Sequence, residues 1–325
     1  MNMKVMRNIG ATLLVSVIIG TSLNGQVVRN DVIKVYNEGA KAIQTDIPAA
    51  INAFENVVTL SGQVGETAND LKQKAIQVLP GLYIKLATNT LNEKKPAPEI
   101  VRAAKAASAA AEKYGSATNK ENAGKIMVQG YYTMGTDFFS RKDYGNALLA
   151  FDSLLMVNPG YITAIYNKAL VYRSQNNTKA FEETVDLFLG KLEKGKDDEK
   201  AKQASLVALE YFRAAGSQAN QANNLDEALV RLNKAAKYGD DKDLFYFFAD
   251  VYNKQKNFDN GAAFAQKGLD LETGNAEAKA KFFYQLATAQ VGKGQIAAAC
   301  ASFKNATFGA FAEASKAQRK NLKCE

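Results

Sequence analysis

An all-α chain of stacked helical hairpins is what this sequence predicts, and three observations carry that expectation. From Gln26 onward apolar residues recur at three- and four-residue spacing, with little β-branched alternation. The prolines act as punctuation. Pro48 follows Asp46 at a helix start, Pro80 separates two apolar runs, Pro96 and Pro98 lie in a turn, and Pro159 closes a helix. None is expected inside a helix, where proline removes a hydrogen bond and clashes with the preceding turn. Finally, small residues return at a fixed spacing along the chain, in pairs that would let two helices cross closely.

The amino terminus comes first. Residues 1–25 read as an export signal, with Lys4 and Arg7 ahead of the apolar run Ile9 to Gly20. That run is about a dozen residues, short of the roughly 20 needed to span a bilayer. Cleavage fits after Ser22 or after Gly25, and an uncleaved anchor is the competing reading. The absence of a cysteine near the junction argues against lipid attachment there. The expected location is exported: periplasmic, envelope-associated or secreted, with membrane contact only through this signal.

The mature part, 26–325, divides into about seven units, near 32–61, 80–115, 128–161, 162–195, 209–242, 242–275 and 280–313. The clearest is 128–161. Its "YYTMG" carries Gly135, and "DYGNALLAFDSLLMVNP" carries Ala147, Phe151, Leu154 and Pro159. "YNEGAKAIQTDIPAAINAFENVV" supplies Gly39, Ala50, Phe54 and Val57. Gly216, Ala228, Leu232 and Ala235 return in the 209–242 unit, Gly261, Ala265 and Gly268 in the next, and Ala299, Phe303 and Ala306 in the last. Units 80–115 and 162–195 are looser. The polar helical tail "AEASKAQRKNLKCE", 312–325, suits a cap, because the end of a repeat stack exposes a face that has no neighbour.

This pattern resembles the tetratricopeptide repeat (TPR), a 34-residue helix–turn–helix unit. The resemblance implies a right-handed superhelix of about seven such repeats with a C-terminal capping helix, and a role in binding protein. In that family the first helices line the concave surface. Carrying their exposed positions over gives Tyr132, Phe139, Tyr166, Arg173, Arg213, Tyr246 and Tyr284 as a partner-binding groove. Tyrosine at one of those positions also serves packing alone. The carboxylate clamp of the chaperone-tail binders does not carry over. Tyr132 and Thr136 stand where its Lys and Asn belong, Glu210 and Ala214 replace its second basic pair, and only Asn167 matches.

Composition narrows the chemistry. The chain has 325 residues with no His and two Cys, so the usual general base, the commonest metal ligand and a Cys–His nucleophile are missing. No cofactor and no metal are expected. The formal charge of +8 is spread among 41 basic and 33 acidic residues, which argues against a nucleic-acid partner. The Asp pairs at 197–198 and 240–241 lie in polar turns and read as solvated loop charges, and the charged segment 193–202 as a solvated inter-repeat turn. In an exported chain Cys300 and Cys324 are expected to pair, Cys300 facing the cap; a buried free Cys300 is the alternative. The expected function is a non-enzymatic scaffold or adaptor binding a protein or peptide segment in the cell envelope. A carbohydrate- or peptidoglycan-associated module is the alternative, since tyrosine-lined grooves also suit sugar stacking.

Overall fold

The computed structural model describes residues 26–324, so the export signal at 1–25 lies outside the described residues. Those residues are helical throughout and pair into hairpins. The pairs are α1 (Arg29–Ala42) with α2 (Ile47–Val64), α3 (Asn69–Asn92) with α4 (Ala97–Lys113), and α5 (Ala117–Ser140) with α6 (Tyr144–Val157). They continue with α7 (Ile162–Ser174) and α8 (Thr178–Gly190), α9 (Asp198–Gln221) and α10 (Leu225–Ala236), and α11 (Lys242–Lys254) and α12 (Phe258–Leu271). The last pair is α13 (Ala276–Gly292) and α14 (Ile296–Asn305), followed by the short helix α15 (Ala312–Asn321). Two compact units result, the first ending at Gly130 and the second beginning at Tyr131, both positions within α5.

The hairpin turns of the second unit share one construction. Each first helix ends, one residue turns left-handed, and the next residue precedes the second helix. The left-handed residues are Lys142 (φ 60°), Asn176 (54°), Asn223 (57°), Lys256 (61°) and Gly294 (72°). A left-handed L-residue costs about 1–2 kcal/mol. Capping offsets part of it: the side chains of Asp143, Asn177 and Asn257 accept hydrogen bonds from the N–H groups of Asn146, Ala180 and Asn260, each worth about 1 kcal/mol. The stop and restart of each helix are thus written into three residues.

Packing follows from the small residues. Ala50, Phe54, Ala147, Phe151, Ala228, Ala299 and Phe303 are all buried, and Gly39, Gly135, Gly216 and Gly261 lie in helix contacts. A Cβ at Gly135 would stand 2.5–2.7 Å from three ring atoms of Phe151, and one at Gly216 2.6 Å from Leu232. Absence of that carbon is what lets the aromatic or leucine sit flat on the facing helix. Phe151, Phe181, Phe212, Phe248, Phe282 and Phe303 are completely enclosed in the second unit, and Phe54 in the first. Replacing any one by Ala would cost about 3–5 kcal/mol. Pro159 is exposed in the turn after α6.

Three expectations need correction. Pro80 lies inside α3 rather than between helices. Its ring is buried in the first unit beside Leu79 and Leu82, so packing offsets the missing N–H. The first helices of the units near 80, 128 and 209 also begin ahead of the expected unit bounds, at Asn69, Ala117 and Asp198. And the Asp pairs are not idle solvated charges. Asp197 accepts from the Glu193 N–H at 3.2 Å and from Lys200 at 2.6 Å, Asp198 accepts from the Gly195 N–H at 2.8 Å, and Asp241 caps α11 through the Leu244 N–H at 2.6 Å. The turn at 193–197 is ordered by the first three of these bonds, and 198–202 form the start of α9.

The carboxyl-terminal helix is fastened at three points. Cys300 and Cys324 are joined by a disulfide, with Cα atoms 5.5 Å apart. Arg319 donates to the Cys300 carbonyl at 2.8 Å, and the buried Ser315 hydroxyl donates to the Ala306 carbonyl at 3.2 Å.

Candidate functional site

The seven sequence-predicted groove residues are half-buried, and the structure engages most of them in packing. Tyr132 lies 6.5 Å from Phe151 and 5.9 Å from Tyr161, ring centre to ring centre. Phe139 meets Tyr144 at 6.2 Å, and Tyr166 meets Phe188 at 5.0 Å. Tyr246 stands edge-on to Phe282 and Phe311, while Tyr284 packs on Phe303 at 5.5 Å and Phe311 at 5.2 Å. The recurring pair, Tyr132 on Phe151 and Tyr284 on Phe303, is the hairpin contact itself. Arg173 sits near enough to Tyr166 for its charge to favour the phenolate, but burial dominates and raises that hydroxyl's pKa.

Two of the seven reach open clefts. Arg213 borders a cleft of about 510 Å³ between α9 and α11, with Glu210, Ala214 and Ser217 on one wall and Asp243 and Phe247 on the other. Tyr284 borders a second, about 320 Å³, with Asp250, Asn253 and Gln285 along one side and Phe303 and Gln318 along the other. A third cleft, about 710 Å³, opens on the other flank of α9 beside Thr178, Tyr211 and Arg231. Ala214 and Gln218 line both clefts on α9. Tyr132, Phe139, Tyr166, Arg173 and Tyr246 border none of these three.

Between the clefts runs a polar row that joins successive first helices. Arg213 of α9 pairs with Asp241 and lies 4.0 Å from Asp243 of α11, which in turn pairs with Lys281 of α13. Burial pushes the Asp243 carboxyl up, but the Lys281 hydrogen bond and the charges of Lys281 and Arg213 outweigh it and hold the group below the usual range. Two turns further along, Asp250 accepts from Asn220 of α9 and from Gln285 of α13 at 3.0 Å. Lys254 reaches Asp250 at 2.9 Å and the Asn220 side-chain oxygen at 2.8 Å. Asn253 donates to both the side-chain and backbone oxygens of Gln285 at 2.9 Å. Burial, with the charge of Asp250 added, raises the Tyr246 hydroxyl.

Phe247, Asn220, Asp250 and Gln285 escaped the sequence reading. A signal existed: Asn220 and Asn253 occupy the same position, the twelfth, of two successive units, where both are buried. Among the described residues there is no cluster of three or more His, Cys, Asp or Glu side chains fit to hold a metal ion. No helix of the described residues is long and apolar enough to cross a membrane.

Paired helices, glycines at their crossings and a repeated left-handed turn make this an all-α helical-repeat fold, its hairpins similar to those of the tetratricopeptide repeat. No family model and no curated protein matches the chain. Among solved structures it resembles the MamA protein, at 16% identity over 61% of this chain and 97% of that one, with a TM-score of 0.34. It also resembles a tetratricopeptide repeat protein from Parabacteroides merdae, at 16% identity over 90% of this chain and 99% of that one, TM-score 0.29. A third is YrrB, described as a TPR protein with an unusual peptide-binding site, at 17% identity over 55% of this chain and 83% of that one, TM-score 0.32.

Proposed function

We propose that this chain is a non-enzymatic scaffold that holds an extended segment of a partner protein against the first helices of its second unit, around α9, α11 and α13. The polar row carries the reading. Its side chains are already fixed by contacts between repeats, from Arg213 to Lys281 and from Asn220 to Gln285. A partner meeting them loses little side-chain entropy on the protein's side, which is the term that usually erodes affinity at such surfaces. Ala214, Phe247 and Val291 supply apolar patches within the same clefts, and Ser217, Gln218 and Thr288 supply hydrogen-bonding groups. Binding is then burial of partner side chains at the apolar patches, with register set by the polar row. The thin reactive inventory, with no histidine in the chain, supports a binding role over bond chemistry.

Sugar stacking is the weaker reading. It needs open tyrosine faces, whereas Tyr246 and Tyr284 are half-buried against Phe282, Phe303 and Phe311. Export to an envelope compartment is part of the proposal. It is supported by the basic and apolar pattern at 1–25 and by the disulfide, since such bonds persist in oxidising compartments.

Random dodecapeptides displayed on phage and selected on the immobilised chain test the site. Ala214 is exposed and lines both flanks of α9, so Ala214→Trp obstructs the clefts without disturbing the core. Enriched peptides should lose at least about tenfold in affinity for that variant, roughly the loss of one good interface contact. Peptides that bind Ala214→Trp and the parent equally would place the site elsewhere.

A further inference from the structure

The 320 Å³ cleft is bounded by elements of unequal standing. Asp250, Asn253, Tyr284, Gln285 and Thr288 stand on α11 and α13, deep in the repeat stack, but Gln318 stands on α15. That helix has ten residues, alternates alanines with polar and charged side chains, and buries only Ser315. A helix this short is marginal in water by itself, because isolated helices under about 12–15 residues scarcely form. Its non-covalent hold includes the Arg319 and Ser315 hydrogen bonds and Leu322, which packs against the cluster of Ala287, Ala299 and Phe303. The chain leading into it presses Phe311 on both Tyr246 and Tyr284, so the position of this segment also sets the aromatic side of the cleft. The disulfide ties the far end of this segment back to α14, and both cysteines are only half-buried.

We propose that the Cys300–Cys324 disulfide gates this end of the binding face: oxidised, it holds α15 as a wall of the cleft, and reduced, it lets α15 leave and the cleft open into solvent. The partner segment is then gripped at the α11–α13 end only by the oxidised chain, a regulation that rests on the binding role proposed above. The reductant is a dithiol. One of its thiolates attacks a sulfur of the Cys300–Cys324 bond, forming a mixed disulfide and releasing the other cysteine as a thiolate, which takes up a proton. The second thiol of the reductant, as thiolate, then displaces the remaining cysteine and closes the reductant's own disulfide. Two electrons pass from the dithiol to the protein, two protein thiols result, and no other reactant is required. Half-buried sulfurs beside a short polar helix give a small dithiol or a redox protein room to approach.

The chain has no tryptophan, so a single one reports locally. In Gln318→Trp of the full chain, emission should be blue-shifted and shielded from acrylamide while oxidised. Reduction with dithiothreitol should shift it to the red and raise the quenching constant severalfold, and Gln318→Trp in a Cys300→Ser/Cys324→Ser background should match the reduced form without any reductant. A second arm uses the otherwise unaltered chain and the peptides selected by display: those protected by the oxidised cleft should bind at least about tenfold more weakly after reduction. Emission and quenching that do not change on reduction would overturn the gate, whatever the peptides do. Unaltered peptide affinity despite a released α15 would overturn it as well. Failure to select any peptide bears on the binding role alone, because the fluorescence arm still reads the motion of α15.

Discussion

Replacing Gly135 by Ala isolates the rule on which the repeat rests. In a helix interior this change ordinarily adds about 1 kcal/mol of stability, since glycine loses more backbone freedom on folding. Here the new carbon would lie 2.5 Å from Cε1 of Phe151 and 2.7 Å from both Cδ1 and Cζ, against ordinary contacts of about 3.5–4.0 Å. The ring is fully enclosed and tilted against Tyr132, so about 1 Å of relief must come from shifting α5 against α6. Overpacking of this kind costs about 1–3 kcal/mol, and contact with three ring atoms places it in the upper half of that range. The net loss should be about 1–2 kcal/mol. Gly145, in the same hairpin, meets nothing within 4 Å of its missing carbon, so Gly145→Ala should be neutral or gain up to about 0.5 kcal/mol. Phe151→Leu combined with Gly135→Ala should lose less than the sum of the two single changes, because the pair is in direct contact. Urea titration followed by far-ultraviolet circular dichroism measures all four variants. Gly135→Ala unfolding at or above the midpoint of Gly145→Ala would refute the reasoning.

Further outcomes follow from the turns and the titrating groups. Lys256→Gly should stabilise the second unit by about 0.5–1 kcal/mol, because its left-handed backbone is strained for lysine, whereas Gly294→Ala should destabilise by about 1 kcal/mol; thermal melts compare them. Burial, reinforced by the charge and hydrogen bond of Glu55, raises the Tyr83 hydroxyl from 10 to about 12. The neutral phenol therefore favours the fold below pH 10, and that contribution fades as the pH climbs towards 12. Tyr83→Phe should flatten the alkaline loss of structure over this window, and an unchanged alkaline transition would contradict the assignment. At the other extreme, the hydrogen bond from Arg29 lowers the Asp70 carboxyl from 3.8 to about 2. The carboxylate form therefore favours the fold above pH 3.8, and its effect is lost as the pH falls towards 2. Arg29→Ala should return Asp70 to the ordinary carboxylate range in a carboxyl-carbon magnetic resonance titration, and an unmoved Asp70 would dismiss the pair as the cause.

The hairpins were legible because their determinants are local. Gly135, Ala147 and Phe151 lie within 17 residues, and their spacing alone dictates that two helices cross closely with a ring between them. The direction Cys300 faces was legible for the same reason, as one step around a helix from the packed Ala299. Pro80 misled because proline's local penalty is the same everywhere, while the packing that offsets it in α3 comes from residues brought up by the fold.

What the sequence determined by itself is therefore the unit: an all-α hairpin, its crossing, its recurrence and its terminal helix. What tertiary structure decided is the use of the outward positions. Tyr132 and Tyr284 turned out to be packed on the second helices, and the polar row formed from residues that no single helical hairpin contains, with Arg213 of α9 and the α11 cap Asp241 separated by 28 positions, Asn220 and Asp250 by 30, and Asp243 and Lys281 by 38. Such pairs form only once one repeat is stacked on the next. Local spacing cannot report them, because a helix's own period says which residues share a face and nothing about which charge stands opposite it.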